Sequence, residues 1–426
     1  MLSKIITDGS QREAFITCLL EEHCGRQASV FHRLGRDSNN FVYRVELRPI
    51  VDEHGQPGSI DPRKQCPGAT TLPSSTNNVV ARISHPEAVL NEEVRVENEV
   101  AAMCLMRTAL AGYSERLVPE VFAWGRSSSE SPGWILQEYK EGVPLDKAFL
   151  DMDRGSQEGI HRQIAQVFKL IQDYELPASA IGYGGLAFDD SGENIVIGPT
   201  TIPCGGPFAT LDDMYVQMMR RQLDESDSSS LLQGWRGDGR LRDRLDRFLA
   251  EGIAPLVRRN SVARPTLIHG DFNTFNMLVD PASGRLTALL DFDLSHVASP
   301  AEEFFYSFRT LGSLLAGPFE TGDELLLRKC LLEGFDETPL TYDGHGKVNW
   351  PIAQNTDMEF SRAGVRKPAE IMGCGELAAL KWFLEDLSPP YFYMPRWLEY
   401  QTPEGVDKTL QSIQSNVEKY LERWGF

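Results

Sequence analysis

The stretch "MLVDPASGRLTALLDFD", residues 277–293, constrains this chain more than any other. Two apolar runs flank Pro-Ala-Ser-Gly, a composition that marks a turn. Paired as an antiparallel hairpin centred on that turn, the two runs have partner numbers summing to about 565. Asp291 then falls across from Thr274, beside Asn276. The segment just upstream, "LIHGDFNTFN", adds His269 and Asp271 where the chain leaves an apolar strand. One end of a hairpin therefore gathers two carboxylates, a carboxamide and an imidazole.

A carboxylate together with an Asn side-chain oxygen suits a hard cation such as Mg2+, which takes oxygen ligands and keeps substrate phosphate in its shell. A second carboxylate can orient an attacking hydroxyl and accept its proton. These are the parts for phosphoryl transfer, in the order used by protein kinases. "HGDFNTFN" followed by "LLDFD" resembles the aminoglycoside phosphotransferase and choline kinase family, small-molecule kinases with a protein-kinase-like fold. The His-x-Asp-x-x-x-x-Asn signature is matched by His269, Asp271 and Asn276, and the later metal-binding Asp by Asp291. The resemblance implies Asp271 as catalytic base, Asn276 and Asp291 as Mg2+ ligands, and His269 as a hydrogen-bonding support of the loop. Asp293 reads either as a supporting group near the metal or as a structural residue. "IGYGGLAFDDSGENIVIGPTTIPCGGPFAT", 181–210, is similar to a segment common in fungal members.

The same resemblance maps the N-terminal part. "LGRDSNNFVYRVEL" stands where a phosphate-covering hairpin is expected. It carries only Gly35, so Ser38, Asn39 and Asn40 would supply turn amides to the phosphates. Strand "VVARI" should carry the phosphate-contacting cation. Many members have Lys there; this chain has Arg82, a bulkier planar fork. Its helix partner is expected to be Glu99, with Glu97 as second choice. "ILQEYKEG" is similar to the inter-lobe hinge, which would bring backbone near Glu138 and Tyr139 to adenine with Leu136 packed beneath.

Periodicity supplies the framework. Helical spacing is expected over 10–24, 91–110, 157–176, 209–224, 240–258 and 405–424, and strands over 30–47, 78–83, 121–125 and 133–139. Phe41, Tyr43, Val45 and Leu47 alternate onto one face. Residues 48–78, rich in Pro, Gly, Ser, Thr and Asn, read as a long mobile loop, and 336–370 as a polar interruption in a helical region. Together with the resemblance, this predicts an α+β, bilobal, protein-kinase-like fold. Residues 1–140 would form a small antiparallel-sheet nucleotide-binding lobe with one long helix, and 141–426 a larger, mainly helical lobe for catalysis and acceptor binding.

Composition removes other classes. The net charge of −19 argues against nucleic acid or an anionic membrane as main partner; it is mildly compatible with a cationic acceptor, but plain solubility is the preferred explanation. Seven scattered cysteines, without a CxxC pair, read as reduced intracellular thiols, and eight histidines offer no HExxH. No signal peptide or membrane span is evident, so a cytoplasmic protein is expected. GxSxG, GxxxxGK[ST] and a strand-following GxGxxG are missing. Glu302 and Glu303 read as contacts for an acceptor amine or as a solvated helix start. The aromatic group around 382–400 reads first as core and second as a cage for a cation. The expected activity is ATP- and Mg2+-dependent phosphorylation of a small-molecule hydroxyl. The alternatives are a catalytically silent kinase-like binding protein and a nucleotidyl transferase.

Overall fold

The computed structural model describes residues 8–35, 39–49, 66–202, 204–236, 239–261, 264–335, 346–393 and 395–426. These form two compact units. The first comprises 1–163, 173–203 and 274–297; the second comprises 164–172, 204–273 and 298–426.

The first unit is built on a five-stranded antiparallel sheet. Helix α1 (Gly9–Cys24) precedes β1 (Ala28–Leu34), β2 (Asn40–Leu47), β3 (Asn78–Ser84), helix α2 (Arg95–Ala109), β4 (Val121–Gly125) and β5 (Trp134–Glu138). The spatial order is β1-β2-β3-β5-β4. Strict alternation gives the sheet two faces. Phe41, Tyr43, Val45 and Leu47 lie on one of them with Val79, Ala81, Ile83 and Leu136, and bury against Ile16, Leu19 and Leu20 of α1. Arg82, paired with Val42 and Ile135, points from the other face, where α2 runs. Helix α2 begins four residues later than its composition suggests, because 91–94 form a turn in which the Asn91 carbonyl accepts the Val94 and Arg95 amides.

Of the long loop after β2, residues 48–49 and 66 onward are described, and the latter part is fastened rather than mobile. Thr70 N–H bonds the Val121 carbonyl at 2.7 Å, and the Trp124 indole N–H bonds the Pro67 carbonyl at 2.8 Å. Two hairpins complete the unit: β6 (Gly185–Phe188) with β7 (Ile195–Gly198), and β8 (Met277–Asp280) with β9 (Arg285–Leu289). The second has the expected register to within one residue. Met277 faces Leu289 and Asp280 faces Arg285, with one irregularity between.

The second unit is mainly helical, with helices Leu211–Ser228, Asp323–Glu333, Trp350–Ala363, Cys374–Leu387 and Pro403–Trp424. The expected helix over 240–258 is Arg240–Arg247 and Ile253–Asn260 joined by a π-helical turn. The helix Trp350–Ala363 corrects the reading of 336–370 as a polar interruption. Its start is signalled by Asn349, which caps the Ile352 amide, and by Pro351 in the first turn. Phe168, Phe272, Phe304, Phe308 and Phe360 pack with ring centroids 4.8–5.9 Å apart and form one centre of this unit. All seven cysteines are free thiols. Among the described residues, no helix is long and apolar enough to cross a membrane.

Candidate active site

In the first unit, Arg82 is buried and its guanidinium bridges three carboxylates. Nη1 pairs with Glu99 on α2, and Nη2 lies 3.2 Å from Asp291 Oδ1 and 3.4 Å from Asp293 Oδ1. Glu97, one half-turn away, instead accepts the Phe188 amide at 3.1 Å and pairs with Arg126 at 2.6 Å. The register of α2 therefore aims Glu99 at the sheet and Glu97 at the β6–β7 hairpin. Between them, Asn98 accepts the Leu186 amide at 2.5 Å and donates to the Ser295 carbonyl at 2.9 Å. The helix that carries Glu99 is thus hydrogen-bonded on two further sides.

Oxygen ligands of Glu99, Asp291 and Asp293 lie within 4.8 Å of one another. Burial, opposed by Arg82 and reinforced by Asp293, lifts the Glu99 carboxyl well above its ordinary range. Burial acts against ionisation of Asp293 too, but Arg95 and Arg82 outweigh it and pull that carboxyl down to about 2. The two carboxyls thus settle in opposite states, as crowded acids do. Asp291 is the exposed member, with 38% of its side chain open to solvent. Its backbone lies at φ 64, in the left-handed region. Asn276 is buried in the turn before β8, and its carbonyl accepts the Leu290 amide at 2.8 Å. The hairpin therefore brings the Asn276 backbone to the residue before Asp291.

In the second unit, strand Thr266–Ile268 leads into the His269–Asn273 loop. Gly270 sits at φ 82, a conformation that L side chains rarely adopt. Buried Glu303 accepts the His269 amide at 2.8 Å and the Gly270 amide at 3.0 Å, and it also bonds Ser307 Oγ. Ser307 Oγ in turn accepts the Phe272 amide at 2.8 Å. Phe272 plugs the phenylalanine cluster. The Asp271 amide donates to His269 Nδ1 at 3.2 Å, and Asn273 Nδ2 donates to Asp271 Oδ1 at 2.6 Å. The loop is pinned from below while the Asp271 carboxylate stays partly open to solvent. Buried carboxylate acceptors of amides in such a loop fix geometry that ordinary packing leaves loose.

A model of the phosphotransferase enzyme family matches residues 71–339. The chain belongs to that family. Solved structures of similar form include an ADP-bound aminoglycoside phosphotransferase, APH(2'')-Ib, 11% identical, with 97% of this chain and 99% of that chain covered and a TM-score of 0.49. A gentamicin complex of APH(2'')-IIa is 12% identical, with 95% and 96% covered and a TM-score of 0.48. An ethanolamine kinase of Plasmodium vivax is 12% identical, with 99% and 90% covered and a TM-score of 0.48. No curated protein matches the sequence.

The remaining family positions fall as follows. Ser38 lies outside the described residues. The Asn39 carbonyl accepts Arg95 Nη2 at 2.6 Å, and the Asn40 side chain bonds both Arg95 and Asp293. The Glu138 amide donates to the Glu120 carbonyl at 2.8 Å, and its carboxylate accepts the Glu120 amide at 3.1 Å. The Tyr139 ring lies 4.9 Å from the Arg44 guanidinium. Leu136 is fully buried on the α1 face of the sheet. Glu302 and Glu303 are both buried, which removes the reading of a solvated helix start, and the Glu303 carboxylate is committed to the loop amides. Part of the 382–400 aromatic group is core: Phe383 is buried against Phe248, Tyr420 and Trp424.

Arg95, Asn273 and Ser307 were not singled out in the sequence, and Glu303 was read only as an acceptor contact or a helix-start charge rather than as the acceptor of the loop amides. The one local signal for Arg95 is a cation in the acidic run "NEEVRVENE" at a helix start, where the dipole disfavours it.

Proposed function

We propose that this phosphotransferase is an ATP- and Mg2+-dependent kinase that moves the γ-phosphoryl group to a hydroxyl of a small molecule. The observation that carries the reading is the buried Arg82–Glu99 pair with the Asp291 carboxylate beside it. A guanidinium held by a helix glutamate, next to a part-exposed carboxylate, is a phosphate-and-cation arrangement. The donor set fits Mg2+: all candidate ligands are hard oxygens, and Asp291 keeps 38% of its side chain open to solvent beside them. Asp291 and Asn276 would hold the ion, which when bound neutralises charge on the phosphates.

The chain's own residues then have defined tasks. Arg82 would contact the nucleotide phosphates, with Glu99 fixing the guanidinium plane. Asn39 and Asn40 stand at the turn that would cover the phosphates. Asp271 would orient the acceptor hydroxyl and take its proton at a carboxylate oxygen. His269 and Asn273 keep the Asp271 backbone and carboxylate aligned. Backbone at Glu138 and Tyr139 would meet the base.

Purified protein incubated with ATP, Mg2+ and a panel of hydroxyl-bearing metabolites, including aminoglycosides and ethanolamine-like amines, tests this by mass spectrometry. Gain of one phosphate on an acceptor supports the reading. Gain of an AMP group would identify a nucleotidyl transferase instead. One observation favours a silent nucleotide-binding protein: Arg82 Nη2 already engages one of the two Asp291 carboxylate oxygens. Mg2+-assisted ADP binding without phosphorylation of any acceptor would establish that alternative.

A further inference from the structure

Arg95 has no task in the reading above, yet few side chains in the first unit are more completely engaged. It is the first residue of α2 and is 1% exposed. A cation there opposes the helix dipole, and burying it costs several kcal/mol unless partners compensate. The partners are specific. Nη2 donates to the Asn39 carbonyl at 2.6 Å and to Asn40 Oδ1 at 2.7 Å, and lies 3.1 Å from Asp293 Oδ2. Nε lies 3.4 Å from Asp293 Oδ1, and Nη1 pairs with Glu92 at 2.7 Å. Asn40 Nδ2 closes the triangle by donating to Asp293 Oδ2 at 3.1 Å.

This triangle joins two places that the kinase reading needs together. One is the start of β2, where the turn after β1 ends. The other is the segment that follows β9. Asp293 stands two residues after Asp291, and Asp291 is held at φ 64. A non-glycine residue is disfavoured in that region and persists only where its surroundings dictate it. Upstream, the Leu290 amide is tied to the Asn276 carbonyl. Downstream, Asp293 is tied to Arg95. The backbone around Asp291 is thereby fixed at both ends, and its carboxylate stays part-exposed beside Arg82.

We propose that Arg95 is a positioning residue which, through Asp293 and Asn40, sets the left-handed conformation of Asp291 and so its capacity to take a nucleotide-bound divalent cation. The role rests on the phosphotransferase reading. A lysine cannot replace it fully, because one ammonium cannot also make the contacts of Nε to the second Asp293 oxygen and of Nη1 to Glu92.

The test is calorimetric titration of the full chain with ADP, once with Mg2+ and once with EDTA. In the unsubstituted protein Mg2+ tightens ADP binding. In Arg95→Met that tightening falls about 10- to 100-fold, the range for loss of a group that orients a metal ligand, while ADP in EDTA binds as before. Arg95→Lys recovers part of it. Should Arg95→Met fail to unfold cooperatively, Arg95→Met/Asp293→Asn removes both charges together and shows the same loss. A folded Arg95→Met protein with undiminished Mg2+ tightening overturns the positioning role and leaves the kinase reading standing. An unsubstituted protein that binds no ADP in either condition overturns both.

Discussion

Glu303 accepts the backbone amide of Gly270 at 3.0 Å while Gly270 sits at φ 82, so a buried carboxylate holds open the one turn on which Asp271 depends. Glu303→Ala leaves the His269 and Gly270 amides and the Ser307 hydroxyl without their acceptor. Each buried group left unpaired costs about 1–3 kcal/mol. Urea unfolding should therefore show a loss of about 3 kcal/mol or more, and Glu303→Gln a smaller one, since its carboxamide oxygen can still receive an amide.

Asp271→Ala should lower kcat by about 100- to 10,000-fold, the usual worth of a positioned proton acceptor. Its amide and carboxylate bond His269 and Asn273, and the proposed nucleotide contacts are made by other residues, so the Kd for ADP should stay the same. Single-turnover phosphorylation with the acceptor found in the metabolite panel, alongside ADP titration, measures both. Retained turnover removes Asp271 from its proposed task.

Arg82 divides its guanidinium between Glu99, Asp291 and Asp293. Arg82→Ala leaves crowded buried carboxylates with one fewer cation and should destabilise the protein by about 3–5 kcal/mol. Arg82→Lys should fold with a smaller loss. Its single ammonium can satisfy Glu99 while freeing Asp291, so the Mg2+ concentration for half-maximal ADP binding should fall. A rise would mean that the guanidinium helps rather than competes at Asp291.

The Asp386 carboxyl is pushed up to about 7 by burial, with Glu320 and Glu385 adding to it. A carboxyl raised in the folded state favours folding while protonated. Its contribution is fully present below the ordinary value of 3.8 and is lost as pH rises through about 7. Stability should thus decline between about pH 4 and pH 7 by at most about 4 kcal/mol, at about 1.4 kcal/mol for each pH unit. Asp386→Asn should flatten that decline in thermal melts across the window.

The hairpin pairing over 277–289 was readable because a turn and strict alternation leave only one register that buries the apolar side chains. The face of β2 follows from the same alternation, whereas Glu99 as the partner of Arg82 was implied by the family resemblance, with Glu97 left as second choice. Arg95 and Glu303 were not readable in this way. Their partners lie 198 and 33 residues away in sequence, and no local period announces a hydrogen bond to a distant backbone amide or carboxylate. The helix Trp350–Ala363 was missed for a different reason: its polar content masked a start signal that Asn349 and Pro351 did carry.

Helix α2 is fastened by Glu97 and Asn98 to the β6–β7 hairpin, by Asn98 to the Ser295 carbonyl, by Glu99 to β3 and by Arg95 to Asp293. Switching kinases move the equivalent helix between two resting positions, and signals act by biasing that choice. A helix riveted at four charged or amide side chains within its first five residues is held in one position. Under the proposed kinase function, the expected rate then follows the supply of nucleotide and acceptor rather than a movement of this helix.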